Sequence, residues 1–491
     1  MTTGEVKVRN DTPVLSVLIN TAVIIGGLPA LLVLTDKWSD SPQRLVAAGV
    51  GITIIVIFGV LRRKYEALLL SLLFFSQFQI SLLSIPLDEP AQLQIFFTDI
   101  LLALFIMAAC ERRESVRPDA VGWLLCGLIV WQTVAMLSFS AHFHRSLLYL
   151  FWEVKCFIVY LLVQNVKLTE KLMRQIKAVV FLVLLLQGGL AIAQLVTGKP
   201  LGLTVFGEQD PSRLFYVKGG LRVSGTLGAT NALAGYMAML LVFALPFLFL
   251  WQGVFRYACY GAGFVALLLP LSRAGWLSFM VGGSLAVSAL LRAKIIKPAR
   301  VMLIGVIGIV IIGTGAALYL DRIQDRFEDK EAINSAEGRF YQFEQAWPVI
   351  EGYPIFGIGA GVTEYFGAWH DNGKYVRNKL PGVKLGNQPH NSQLQYWIES
   401  GTPALILFIS IVVMAFATAL RKSNEGESVS DATFMHIGAG SAAVAAMVHS
   451  SFGTEVNHQQ IIMVFWIVFA LARNRTKYSS SAVEPVRRDL E

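Results

Sequence analysis

The sequence predicts an all-α, polytopic transmembrane helix bundle with one large, partly helical extracytoplasmic loop. Of its 491 residues, 55% are hydrophobic and only 15% are charged, whereas an average soluble domain is about 25% charged. Long apolar runs recur from one end of the chain to the other. So apolar a chain cannot cover itself with a water-compatible surface.

Stretches of about 17–25 apolar residues predict about 12–14 membrane spans. The first run has no small-residue cleavage site and is too long for the core of a signal peptide, so it is read as a span. The predicted spans lie at 14–35, 43–61, 65–84, 95–110, 120–138, 146–164, 176–197, 230–250, 256–271, 275–292, 301–320, 403–420, 432–450 and 459–472.

Lys and Arg gather in alternate loops between these spans, among them Arg62–Lys64, Arg292–Arg300 and Arg421-Lys422. By the positive-inside rule these loops and both termini are cytoplasmic. The predicted units are then a bundle at 1–320, an extracytoplasmic loop domain at 321–402, a second bundle part at 403–472 and a cytoplasmic tail at 473–491. Residues 198–229 and the Ser272-Arg273 corner also fall outside.

The net charge of +8 does not indicate nucleic-acid binding, because the basic residues lie in short loops rather than on a soluble domain. The four cysteines, Cys110, Cys126, Cys156 and Cys259, lie in or beside apolar segments. Neither a disulfide framework nor a thiolate metal site is expected from them.

The large loop has the composition of a folded segment. Pro389 and Gly401 bracket a predicted helix, since proline favours the first helical position and glycine the position after the last. A second helix is predicted over about 335–350, broken near its end by Pro348. A glycine-rich turn, Tyr353–Gly361, lies between the two.

Three outward arginines, Arg222, Arg273 and Arg339, lie close to apolar segments, against the positive-inside bias. Guanidinium groups bind phosphate through two oxygens at once. Arginines that snorkel to lipid headgroups are the alternative for each one alone, but three around one loop favour a binding role.

His390 is the candidate base. We expect it in the first turn of its helix, where the helix dipole favours the neutral imidazole that can accept a proton. A surface histidine without a role is the alternative.

The remaining histidine and glycine patterns are weaker evidence for a functional site. His142 and His144 point apart on a helix and lack a third ligand, and Gly357-x-Gly359-x-Gly361 lacks the strand and helix of a dinucleotide site. His449 and His458, with Glu455, flank the last outer turn, where they could line a cavity mouth or simply cap helices.

The stretch Ser272–Gly401 resembles the O-antigen ligase and polymerase superfamily of bacterial membrane glycosyltransferases. Gly338-Arg339, Trp347 and Pro354–Gly359 are similar to its R…W…P-φ-φ-G-φ-G run, and His390-Asn391 with Gly401 to its H-[NSQ]-x9-G signature. That signature ends in a second glycine where this chain has Ala404. Arg222–Thr226 with Asn231 resembles a run upstream.

The resemblance implies transfer of a glycan from undecaprenyl pyrophosphate to a hydroxyl at the outer face of the bacterial inner membrane, without a metal or other cofactor. It implies that Arg273 and Arg339, with Arg222 as a weaker addition, bind the pyrophosphate and that His390 is the base. Membrane lipids surround the protein, and further partners could include a chain-length regulator or a flippase.

Two alternatives remain open at this stage. A ligase, which would deliver the glycan to lipid A core or a protein hydroxyl, shares the donor half of the site with the favoured polymerase. A transporter or flippase would show charges at mid-membrane and an inverted repeat, whereas the chain has only Glu153 and Lys155 near that depth and no visible repeat. A scaffold would not need the aromatic, glycine-rich loop.

The sidedness is directly testable. Cysteines introduced into the loop 321–402 are expected to react with a membrane-impermeant thiol reagent in intact spheroplasts, because every Lys/Arg-rich short loop lies on the other side. Labelling that requires lysis would contradict both the topology and the location of the site.

Overall fold

The helices seen in the structure confirm an all-α, multi-pass membrane bundle. The structure is a computed structural model and describes residues 65–88, 91–112, 116–140, 143–209, 216–217, 220–249, 254–299, 343–344, 346–363, 390–421, 431–453 and 459–474. Within these residues, seven helices are long and apolar enough to cross a membrane. The predicted spans 14–35, 43–61 and 301–320 lie outside the described residues.

The helices are numbered in chain order over the described part. They are α1 (Tyr65–Phe75), α2 (Phe97–Glu111), α3 (Ala120–Phe139), α4 (Phe143–Gln164), α5 (Glu170–Thr197), α6 (Thr230–Ala244), α7 (Val254–Leu268), α8 (Arg273–Arg292), α9 (346–352), α10 (Ser392–Arg421), α11 (Asp431–Ser450) and α12 (Gln459–Ala472). Short 3₁₀ turns lie at Thr204–Phe206 and Leu245–Phe249.

One predicted span is corrected by the structure. The apolar run 65–84 is helical only to Phe75, and its end forms a β-hairpin of β1 (Ser81–Asp88) and β2 (Ala91–Phe96). Residues 81–88 contain Pro86, which has no N–H to give to a helix. A second short ladder joins β3 (Tyr216–Val217) to β4 (Gly220–Leu221).

Helices α6 and α11 form the centre of the bundle. Both are buried nearly all round, which is typical of a core helix rather than of a lipid-facing one. Small residues allow the close packing: a Cβ on Gly282 of α8 would lie 2.7 Å from that of Ala445 in α11, and one on Gly438 would lie 2.4 Å from the Phe243 carbonyl. Such small-residue contacts are the usual way for helices to associate in a membrane.

Polar contacts join the helix ends predicted to share the cytoplasmic side. Arg473, just after α12, contacts Asp119 at 2.5 Å and donates to Thr418 of α10 at 2.7 Å. Lys177 of α5 pairs with Asp431 at the start of α11, at 2.6 Å. The predicted alternation of helix directions therefore agrees with the contacts, while the side of the membrane stays a prediction.

Candidate functional site

The segment that carries His390 begins its helix later than expected. The structure starts α10 at Ser392, and the Asn391 side chain caps it by accepting from the Leu394 N–H at 2.9 Å. His390 thus precedes the cap and is exposed. Its assignment to the first helical turn was wrong, because Asn391 is a better N-cap than the residues before Pro389.

The three residues after His390 are fastened to the turn between α11 and α12. Asn391 donates to the Ser451 carbonyl at 3.1 Å, and Ser392 donates to that of Gly453 at 3.2 Å. The Gln393 amide donates to the hydroxyls of Ser450 and Ser451 at 3.3 and 3.1 Å. The segment that follows His390 is therefore anchored at the Ser450 end of the central helix α11.

Gly401 marks the end of the loop helix, as the sequence predicts, although regular helix resumes at once and α10 continues to Arg421. The Gly401 backbone has φ 77° and ψ −178°. A Cβ there would lie 1.9 Å from the carbonyl oxygen of Ile355. Only glycine accepts both this conformation and this approach.

The glycine-rich turn packs directly on that helix end. The N–H groups of Ile358 and Gly359 donate to the carbonyls of Ile398 and Glu399 at 3.0 Å each, and the Thr402 N–H donates to that of Pro354 at 2.8 Å. A Cβ on Gly357 would lie 2.4 Å from the Glu399 carbonyl carbon. The glycines thus serve backbone packing, which agrees with the absence of a nucleotide motif. Residues 346–352 are helical through Pro348, so that proline does not end the helix as predicted.

The carboxylate of Glu399 holds the end of this turn. It accepts from the N–H groups of Gly361 and Thr363 at 2.8 and 3.2 Å, from the Thr363 hydroxyl at 2.5 Å and from the Gln395 amide at 3.1 Å. Glu399 is only 2% exposed. A buried carboxylate is stable only with such donors. Glu399 therefore links α10 to the end of the glycine-rich turn.

The glycine-rich turn and the end of the loop helix pack against α3 and α4. Trp131 stacks on Phe356 with ring centroids 5.1 Å apart and donates to the Ser400 carbonyl at 2.8 Å. Ser146 donates to the Ala360 carbonyl at 2.8 Å. The described part of the predicted loop therefore lies against the bundle rather than apart from it.

Two of the candidate arginines lie near one corner, the turn between α7 and α8. Arg222 donates through Nε and Nη2 to the Pro270 carbonyl, at 3.1 and 2.9 Å. Arg273 is the first residue of α8, whose cap is Ser272. The third arginine, Arg339, lies outside the described residues.

The helices α6 and α8 begin side by side at this corner. A Cβ on Gly275 would lie 2.7 Å from that of Ala234. Gly275 is the third residue of α8 and Ala234 the fifth residue of α6, so the contact lies near the start of both helices. Seven residues further on, Gly282 approaches Val242, so the two helices run parallel. The N-cap of α6 is Ala229, which has no side chain to cap the first N–H groups. Two positive helix ends therefore lie beside Arg273.

Contacts through the bundle connect this corner with His390. Next to Ala234, Gly235 packs on the imidazole of His449, since a Cβ there would lie 2.6 Å from the ring. His449 is buried, and the adjacent Ser450 binds Gln393. Arg222, Arg273 and His390 therefore lie at the same end of the bundle. His458 and Glu455 are outside the described residues.

Sequence reasoning noted Glu153 and Lys155 but missed the polar residues that bind them. Tyr396 of α10 donates to Glu153 of α4, and Lys155 pairs with Asp99 at 2.9 Å. The charges noted at mid-span are thus paired or hydrogen-bonded within the bundle. Carboxylates in otherwise apolar helices, such as Glu153 and Glu399, were the signal that could have found this layer. No group of three metal-ligating side chains occurs in the part that the structure describes.

The fold and the site together define a multi-pass membrane protein with two arginines near one corner, at the same end of the bundle as the anchored segment after His390. The family model described as O-antigen ligase matches residues 258–409. The match confirms the resemblance of these residues to the O-antigen ligase and polymerase superfamily, and it supports a membrane glycosyltransferase of that type. No curated protein matches the chain.

The hydrogen bonds of the Glu399 carboxylate give a stability prediction. Glu399→Leu is expected to lower the melting temperature of the detergent-purified protein, because it leaves the buried N–H groups of Gly361 and Thr363 unpaired, at about 1–3 kcal/mol for each. Glu344→Leu, at an exposed position of the same loop, is the matched control and should change the stability by less than about 0.5 kcal/mol. Equal melting temperatures for the two variants would contradict the role of Glu399.

Proposed function

We propose that the chain transfers a glycan from undecaprenyl pyrophosphate to an acceptor hydroxyl at the outer face of the bacterial inner membrane, and that it polymerises repeat units of O-antigen or exopolysaccharide. The observation that carries the proposal is the pairing of the α6 and α8 N-termini with Arg222 and Arg273 at one corner. Helix N-termini and guanidinium groups are both ready anion-binding elements.

The chemistry requires stabilisation of a leaving pyrophosphate. As the acceptor oxygen bonds to the sugar carbon, the bond from that carbon to the pyrophosphate oxygen breaks and its electron pair leaves with the phosphate. Fixed positive groups at that point lower the barrier, because they act where the charge develops. Arg273 and Arg339 are proposed to supply this charge, with Arg222 in support, so that no divalent metal is needed.

The acceptor hydroxyl has to lose its proton in the same step. His390 is proposed as the base: its neutral imidazole takes that proton, a contribution of typically about 10²–10⁴-fold in rate. Exposure of His390 and its anchorage through Asn391 suit a group that must meet a mobile acceptor.

The proposal also assigns the two sides of the membrane. The loop 321–402 is proposed to face outward, with both termini in the cytoplasm, since the helix ends near Arg473 and Asp431 carry the basic loops. The acceptor and donor glycans would then meet outside, where lipid-linked glycans await assembly.

One assay separates the candidate functions. Purified protein is incubated with a lipid-linked oligosaccharide and the products are resolved on a gel. A ladder of increasing repeat number supports a polymerase, whereas a single shifted acceptor band identifies a ligase. Absence of turnover would contradict the enzyme and favour the transporter.

Arg273→Lys and Arg339→Lys are each expected to impair transfer while the protein stays folded, because a point charge cannot reproduce the two-oxygen guanidinium contact. The measurements are turnover and melting temperature. Arg292→Lys, at the opposite end of α8, is the matched control and should retain activity. Full activity in both test variants would make the arginines lipid anchors.

His390→Ala is expected to abolish transfer with donor binding nearly unchanged, because the pyrophosphate contacts lie on the arginines. Wild-type turnover should fall on acidification, since a protonated imidazole cannot accept a proton. Donor binding, melting temperature and turnover are measured on one preparation, with His144→Ala as the control. A His390→Ala protein that turns over normally would remove His390 from the mechanism.

A further inference from the structure

The segment before α6, which carries Arg222, is held by two glutamines on one face of α5. Gln187 and Gln194 are seven residues apart, or about two helical turns, so their side chains point the same way. They are 0% and 2% exposed. Gln187 binds Thr226 and Gln77, with its amide nitrogen 2.6 Å from the Thr226 hydroxyl.

Gln194 uses both ends of its amide on the segment next to Arg222. Its oxygen accepts from the N–H groups of Ser224 and Gly225 at 3.2 and 2.9 Å. Its nitrogen donates to the Gly225 carbonyl at 3.2 Å and to the Glu208 carboxylate at 2.6 Å. A side-chain amide has a carbonyl oxygen with two acceptor sites and an NH₂ group with two donors, so it can make all four of these hydrogen bonds.

Glu208 extends the contact to the first half of the same segment. Its two oxygens accept from the N–H groups of Leu201 and Leu203 at 2.7 and 2.6 Å. Glu208 is 5% exposed, and its carboxylate is satisfied by N–H donors. Gln194 therefore joins residues 201–208 to residues 224–225 across the outer end of α5.

These hydrogen bonds fix the position of the backbone next to Arg222. Ser224 is two residues beyond Arg222, whose guanidinium reaches the Pro270 carbonyl at 2.9 Å, just before the corner with Arg273. Leu221 and Val223 on either side are buried and leave the backbone little room to move independently. A shift at 224–225 is thus passed on to the guanidinium.

We propose that Gln194, bound to Glu208, is a positioning residue that sets Arg222 for the pyrophosphate of the donor. The inference depends on the proposed function, because it assigns that pyrophosphate to the corner of Arg222 and Arg273. Gln194 itself acts only through the backbone at 224–225.

The test uses Gln194→Leu, Gln194→Glu and the double variant Gln194→Glu/Glu208→Gln. Leucine removes all four hydrogen bonds. Glutamate keeps the two accepted bonds but sets two carboxylates against each other. The second change restores a donor between positions 194 and 208, while it removes the acceptor of one backbone N–H, that of Leu201 or Leu203. The probe is undecaprenyl pyrophosphate itself, with undecaprenyl monophosphate as the comparison ligand.

Binding of the pyrophosphate is expected to weaken about tenfold in Gln194→Glu and further in Gln194→Leu, since small misplacements of a binding group can cost up to about 10²-fold. The double variant should bind the pyrophosphate more tightly than Gln194→Glu, because the repulsion between the two carboxylates is gone. Binding of the monophosphate should change less. Asn474→Leu is the control, because Asn474 is a buried amide that donates to Val163 and Val166 at the other end of the bundle.

The outcomes decide between the explanations. Wild-type affinity in Gln194→Glu, or an affinity loss no greater than that of an equally destabilised Asn474→Leu protein, would overturn the positioning role and leave the proposed function intact. A wild-type protein that does not bind undecaprenyl pyrophosphate would overturn the proposed function and this inference with it.

Discussion

A polar group inside this bundle has to find its partner within the protein, because the hydrocarbon around it offers none. The site depends on how that constraint is met. Glu399 satisfies the backbone of the glycine-rich turn, Gln194 satisfies that of the Arg222 segment, and Asn391 caps α10 while binding the α11–α12 turn. Irregular backbone near a membrane is stable only when side chains complete it in this way.

These contacts hold the buried part of the candidate site in place, while His390 remains exposed. The central helices α6 and α11 are nearly fully buried, and both end at the level where Arg273 and His390 lie. The groups proposed to act on substrate are therefore held by parts of the protein with little freedom to move. Precise placement of charge is worth more than charge alone in such a reaction.

Much of this architecture could be predicted from the sequence. Apolar run length places most helices, and the Gly401 break follows from glycine chemistry. The hairpin at 81–96 was missed because strands and helix segments are both apolar there, so hydropathy cannot separate them. The late start of α10 was missed because Asn391 competes with the proline signal.

Long-range polar pairs were the part that sequence reasoning could not supply. Gln194 meets Ser224, and Tyr396 meets Glu153, across distances in sequence that no local pattern encodes. The candidate arginines and histidine were chosen from their chemistry and from the motif that surrounds them. The contacts that hold Arg222 and the segment after His390 became visible only when the helices were assembled.

At the start of α6, which has no side-chain cap, helix stability and the proposed anion binding favour different residues. Serine or aspartate at position 229 would satisfy the first N–H groups and strengthen the helix by roughly 1 kcal/mol. An oxygen there would also occupy the positive end of α6 that lies beside Arg273. If the donor pyrophosphate binds at this corner as proposed, the most stable residue at position 229 and the one best suited to binding are different. Alanine would then keep the helix end available at the expense of stability, the kind of trade-off that stabilising substitutions commonly expose at functional sites.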